Sequence, residues 1–246
     1  MKSIVLVIVL IFQFAFQLFS AELSQQSFNG VRYTVCVADP LNDDIRLFWK
    51  DENQQPLGSF DNLEKHVSRM GKRLVFGMNA GMFQENLSPV GLLVIDGKIE
   101  KSLNTKSIKS TSGVVPNFYL KPNGVFGFVN KKPIIKTSAN FPKSGVRLAT
   151  QSGPMLVVDG QIHSVFTQGS THVNIRNGVG IDNKGRVVFV ISDGAVNFYD
   201  FALFFKESLS CRNALYLDGS VSGITAPEIN RSDWTPRLGP LIGIVK

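Results

Sequence analysis

Four times along this chain a glycine-bearing turn separates two short apolar runs, and this arrangement restricts the fold more than any other feature. Asp96-Gly97 divides residues 91–95 from 98–101, and Pro122-Asn123-Gly124 divides 117–121 from 125–129. Asp159-Gly160 divides 155–158 from 161–163, and Asn183-Lys184-Gly185 divides 179–182 from 186–192. Such turns supply the positive φ of tight hairpins, because glycine has no Cβ to clash. Runs this short fit strands better than helices, so antiparallel pairing in one large sheet or two packed sheets follows. Residues 31–38 and 44–50, joined by Asp39-Pro40-Leu41-Asn42-Asp43, add strands, as do 73–78, 213–217 and 241–245.

Two segments break the strand rhythm. Asp61-Asn62-Leu63-Glu64 has capping-box spacing and opens a helix with Leu63, Val67 and Met70 on one face, closed by Gly71. A second helix is expected over about 199–210, capped by Asn197, with Phe201, Phe204, Phe205 and Leu209 as its apolar face. No linker, repeat or low-complexity tract interrupts residues 27–246. The expected fold is α+β: one strand-rich domain over 27–246, mostly antiparallel, with two main helices.

The start of the chain predicts export. Residues 4–19 are apolar except Gln13 and Gln17, Lys2 precedes them, and Ser20-Ala21-Glu22 follows. That order is a secretory signal peptide over residues 1–20, leaving a periplasmic or secreted protein with no stable membrane insertion. The alternative is an uncleaved anchor helix, against which stand the two glutamines and the lack of a basic cluster after the apolar run.

Formal net charge is +7, but the cations are scattered and Lys131-Lys132 is the only adjacent lysine pair. A nucleic-acid groove needs clustered Lys and Arg, so no nucleic-acid partner is expected; the charge suits anionic envelope polymers or phosphorylated glycans. Cys36 and Cys211 are the only cysteines. Neither has a Cys or His neighbour at ligand spacing, so no metal or other cofactor is expected. After export they can pair across the length of the domain, or lie as two buried thiols on separate strands.

Chemistry concentrates where buried strands run into turns of small residues that hold one polar group. These are 76–83, with Asn79 and Gly81; 150–154, with Gln151 and Ser152; 191–194, with Asp193; and 216–220, with Asp218, Gly219 and Ser220. Arg176 leads into a further strand at 176–180. Small residues let a ligand approach the backbone, and strand ends hold polar groups rigidly. Each has a plainer reading as well: Asp-Gly after a strand is commonly a turn, Asn79 can bond local backbone, and Arg176 can be an ion-pair arginine. His163 and His172 read as structural.

The order Asn79-Ala80-Gly81-Met82-Phe83, Pro89-x-Gly91, Gln151-Ser152-Gly153-Pro154, Arg176-x-x-x-Gly180, Asp193-Gly194 and Leu217-Asp218-Gly219-Ser220 resembles the phosphodiester glycosidase family across the whole mature chain. The resemblance implies hydrolysis of a sugar–phosphate linkage in a glycan or phosphoglycan. Arg176 would neutralise the phosphodiester, and Asp218 and Asp193 would be the carboxylate pair. Asn79, Gly81, Gln151, Ser152, Gly219 and Ser220 would hold sugar and phosphate oxygens. The chain departs from the family's Asn-Gly-Gly/Asp-Phe-Phe at 79–83 and from its Asp-Gly-Gly-Gly-Ser at 218–222; fewer glycines mean less backbone access, so the resemblance implies a glycosidase-like site without transferring the substrate. Two rival readings remain: a non-catalytic glycan- or peptidoglycan-binding envelope protein, and a metal-dependent phosphodiesterase, which needs clustered carboxylates or histidines.

Overall fold

A computed structural model describes residues 21–108, 115–218, 221–235 and 237–246. The expected signal segment 1–20, Gly219 and Ser220 lie outside the described residues. The first strands are β1 (Glu22–Phe28), β2 (Val31–Ala38), β3 (Asp44–Phe48), β4 (Leu74–Asn79), β5 (Leu93–Ile95) and β6 (Lys98–Lys101). The middle of the chain supplies β7 (Gly124–Val129), β8 (Lys132–Thr137), β9 (Val146–Ser152), β10 (Met155–Val158), β11 (Gln161–Ile162) and β12 (Asn177–Ile181). The last are β13 (Val187–Ser192), β14 (Asn213–Asp218), β15 (Ile224–Ala226), β16 (Arg231–Ser232) and β17 (Leu241–Val245). Helix α1 spans Phe60–Arg69 and α2 spans Phe198–Leu203, the latter running on into a wider turn over 204–208.

Among the described residues the strands form three antiparallel sheets, not one or two. Their orders are β1-β2-β13-β12-β14-β10-β11, β16-β15-β4-β17-β3 and β6-β5-β9-β7-β8. The inner faces of all three meet in one core, where Phe76 and Phe126 pack on Phe189. The first sheet is covered on its other face too. Val187, Phe189 and Ile191 of β13 point into the shared core, while Val188 and Val190 pack with Phe201, Phe204 and Phe205 from the α2 segment. Burial on both sides is why β13 reads as a continuous apolar run rather than an alternating one. Each such side chain contributes about 1.5–3 kcal/mol when fully removed from water. Helix α1 covers the second sheet with Phe60, Leu63 and Val67 against Leu74 and Val245.

The α+β, strand-rich, mostly antiparallel fold of one domain agrees with expectation, as do three of the four hairpins, at Asp96-Gly97, Asp159-Gly160 and Asn183-Lys184-Gly185. The fourth is corrected. Residues 117–119 are a short 3-10 turn, and β7 pairs with β8 through Asn130 and Lys131, both left-handed at φ 49° and 66°. Asn29-Gly30 makes a further hairpin, so the first sheet begins at Glu22, ahead of residue 27. Runs 31–38 and 44–50 do not pair with each other; β2 and β3 belong to different sheets. The cap of α1 is Ser59, whose hydroxyl accepts from the Asn62 amide at 3.2 Å, and Met70 is exposed rather than on the buried face.

Of the two readings of the cysteines, the structure shows the buried thiols. Cys36 and Cys211 are both buried and free. Cys36 faces the core between sheets and Cys211 faces the α2 side of the first sheet, so the sheet itself separates them.

Candidate active site

Strands β4, β12 and β14 converge so that two asparagines lie directly behind Asp218. Asn177, the first residue of β12, donates through Nδ2 to Asn79 Oδ1 at 2.7 Å, at the end of β4. The same Asn177 carboxamide accepts the backbone N–H of Asp218 at 2.9 Å, and Asn79 Oδ1 also accepts from the Gly223 amide at 3.0 Å. Both asparagines are fully buried. Asn79 Nδ2 has no hydrogen-bond partner among the described residues, which costs about 1–3 kcal/mol for a buried donor. Each carboxamide therefore joins the first sheet to the second and fixes where β14 ends. Asn177 was missed by the sequence reading; its signal was an amide at a buried strand start beside Arg176.

Asp218 lines an open cleft of about 820 Å³, walled by Met82, Phe83, Asn117, Tyr119 and Val221, with Glu85 also on the lining. Arg176 lies in an adjoining recess of about 460 Å³, and Asn117 is shared by both. Tyr216 connects the two: it stands two residues before Asp218 on β14, and its hydroxyl lies 3.4 Å from Arg176 Nη1. Burial drives the Tyr216 phenol well above its usual pKa, Arg176 opposes that shift, and the charge of Asp218 adds to it.

Arg176 is buried, and its guanidinium stacks on Phe198 with Cζ 3.6 Å from the ring centroid. Nε donates to the Val196 carbonyl at 2.8 Å and Nη2 to the His172 carbonyl at 3.1 Å. Among the described residues no carboxylate lies within ion-pair distance of it. Burial pulls its pKa below the ordinary arginine value, with Tyr216 acting in the opposite direction.

The other expected site residues are placed differently. Gln151 is buried and turned inward: Oε1 accepts from the amides of Leu92 and Asn104, and Nε2 donates to the Asn104 carbonyl and to Ser138 Oγ. Ser152 donates to the Leu217 carbonyl at 2.7 Å, tying β9 to β14. Asp193 is not on the lining of the Asp218 cleft. Its carboxylate meets Arg32 at 3.2 Å and Arg231 at 2.5 Å and accepts from Thr34, joining the first sheet to β16. Gly81, at φ 142°, sits where a Cβ would come within 3.0 Å of Thr150 Oγ1.

Two glycines of the motif pattern serve packing. A Cβ on Gly91 would lie 2.4 Å from Gln151 Oε1, and one on Gly180 would lie 2.6 Å from Cys211 Sγ and 2.8 Å from the Phe205 ring. Among the described residues no group of three or more His, Cys, Asp or Glu gathers as metal ligands, and no helix is long and apolar enough to cross a membrane.

Against known proteins, the phosphodiester glycosidase family model matches residues 72–233. The uncharacterized protein YigE of Escherichia coli (strain K12) is 32% identical over 223 residues, covering 90% of this chain and 84% of that one. Among solved structures, the zebrafish N-acetylglucosamine-1-phosphodiester alpha-N-acetylglucosaminidase catalytic domain, auto-inhibited by its pro-peptide, superposes with a TM-score of 0.60 at 15% identity, covering 92% of this chain and 82% of that one. A Burkholderia pseudomallei K96243 protein provisionally described as exported superposes at 0.54 with 13% identity, over 87% of this chain and 74% of that one. At these identities the two structures share the fold.

Proposed function

The chain belongs to the phosphodiester glycosidase family, and from that premise we propose that it is an exported hydrolase cleaving the bond between a sugar's anomeric carbon and a phosphodiester oxygen in a glycan or envelope polymer. The observation that carries the reading is Arg176: a buried guanidinium with no carboxylate partner among the described residues, in a recess that adjoins the Asp218 cleft. A buried charge held only by carbonyls and aromatic rings is costly, and an anionic ligand offsets that cost. A planar guanidinium also matches two phosphate oxygens at once.

The chemistry then divides between the recesses. The phosphodiester sits against Arg176, and the sugar lies in the cleft lined by Asp218. As the C1–O bond breaks, its electrons leave with the phosphate monoester, and Asp218 stabilises the positive charge growing at the anomeric carbon. Water adds to that carbon and gives up a proton, for which Glu85 is the second carboxylate on the same lining. Asp193, held by two arginines, keeps the end of β13 in place. Asn79 and Asn177 set the position of Asp218 through its backbone.

The deciding experiment is hydrolysis of a panel of glycosyl phosphodiesters in ¹⁸O-water, with and without chelator. Label in the released sugar is the expected result. Label in the phosphate, lost with chelator, would replace this reading with a metal-dependent phosphodiesterase. Calorimetric binding without product would replace it with a glycan-binding protein.

A further inference from the structure

The recess around Arg176 says what the phosphate carries on its far side. Phe198 has the Arg176 guanidinium on one face at 3.6 Å, and Phe166 parallel to it with ring centroids 4.9 Å apart. Two groups that close cannot share one face, so both faces of Phe198 are covered. Phe166 is itself stacked on His163 at 4.9 Å. The ladder His163–Phe166–Phe198–Arg176 thus shows the recess ring edges rather than open ring faces. A sugar or a planar base binds aromatic residues through their faces, and on these rings the faces are already occupied.

Beside the ladder the lining carries the aliphatic side chains of Leu120 and Val165 together with half-buried Tyr199, while the polar side chains of 167–174 stand at the solvent rim. Val165 is 52% exposed at the mouth. On the same loop Val173 and Ile175 stand 48% and 45% exposed, so three of the nine large apolar side chains exposed among the described residues fall within residues 165–175. Val165 lines the recess, and the same loop gives a chain that leaves it further aliphatic side chains to follow.

From this we infer that the second ester of the phosphate is an aliphatic alcohol: the substrate class is a sugar joined through phosphate to an alkyl or prenyl chain. The phosphate meets Arg176, the first carbons of the chain pass Leu120 and Val165, and the rest runs out along the exposed aliphatic loop. The inference rests on the assignment of Arg176 as the phosphate group's partner.

The test uses glycosyl phosphodiesters of methanol, butanol and octanol, together with one of a second sugar. Each methylene buried changes binding by roughly fourfold, from about 0.8 kcal/mol per CH₂. We expect kcat/KM to rise at least about tenfold from methyl to octyl. The paired variant Leu120→Ser/Val165→Ser should lower the octyl-to-methyl ratio. A flat series, or a sugar ester preferred over octyl, overturns the inference while leaving the hydrolase reading intact. If no ester is cleaved, the hydrolase reading fails instead. Calorimetry with methyl and octyl phosphate then decides the inference, and equal affinities overturn it.

Discussion

Asn177 donates a 2.7 Å hydrogen bond to Asn79, and this contact between two fully buried carboxamides ties the first sheet to the second directly behind Asp218. Asn177→Ala removes the bond and also leaves the Asp218 amide without its acceptor. Each unsatisfied buried group costs about 1–3 kcal/mol, so the variant should lose roughly 2–4 kcal/mol in urea unfolding. Asn79→Ala should cost less, because it also removes the unpartnered Nδ2 and leaves Asn177 Nδ2 the Asn79 carbonyl as acceptor. Because the two share one network, the double variant should lose less than the sum. Strict additivity would show that the carboxamides do not act as a unit.

Arg176 and Asp218 should separate binding from turnover. Arg176→Met should abolish calorimetric binding of an alkyl phosphate, and Arg176→Lys should restore it only in part, since an ammonium lacks the planar fork. Asp218→Asn should retain that binding while kcat on a glycosyl phosphodiester drops by about a hundredfold or more. Equal loss of binding in Asp218→Asn and Arg176→Met would place both groups on the phosphate.

The turn chemistry was legible in the sequence where it was local. Asp159-Gly160 and Asn183-Lys184-Gly185 announce hairpins because the glycine that permits the backbone lies in the turn. Asn130-Lys131 makes an equivalent turn with left-handed non-glycine residues and carries no such mark. The candidate site was half legible. Asp218 and Arg176 stand out as charges at the ends of apolar runs. The inward role of Gln151 depends on Asn104, 47 positions away, and that of Asn177 on Asn79, 98 positions away; no local pattern encodes either. Gly180 entered only as the end of the Arg176-x-x-x-Gly180 pattern, and its packing against Phe205 is visible only once the α2 segment is laid on the sheet.

That contact is itself testable. Gly180→Ala places a methyl group 2.6 Å from Cys211 Sγ and 2.8 Å from the Phe205 ring, which overpacks the layer between sheet and helix. Destabilisation of about 1–3 kcal/mol is expected, and Phe205→Leu in the same chain should recover part of it. A Gly180→Ala variant with wild-type stability but impaired turnover would instead give the glycine a part in the site.

The two thiols should be silent in the folded protein. Burial pushes the Cys36 thiol far up and Cys211 to about 12, with Asp43 and Asp182 respectively among the lesser contributions. The thiolate is the reactive form, so a thiol reagent should label neither cysteine in buffer and both in urea. Intact mass with and without reductant should be the same. A two-dalton difference would establish the bridge that the sheet between them argues against.

His163 should make the fold sensitive to mild acid. It is buried and stacked on Phe166, and burial lowers its pKa below the ordinary histidine value, a nearby Lys121 carbonyl acting in the opposite direction. A depressed histidine is neutral in the folded state over a range where the unfolded chain binds a proton. The unfolded state therefore gains protons first as pH falls. The contribution is fully present above the unfolded value of about 6.5 and is lost progressively as pH falls from there toward the lower folded value. Other groups titrate over the same range, so the informative quantity is a difference between variants. The fall in Tm between pH 7.5 and pH 5 should be steeper in the wild type than in His163→Gln, which has no proton to gain. Parallel Tm profiles for the two proteins would show that His163 does not carry the effect.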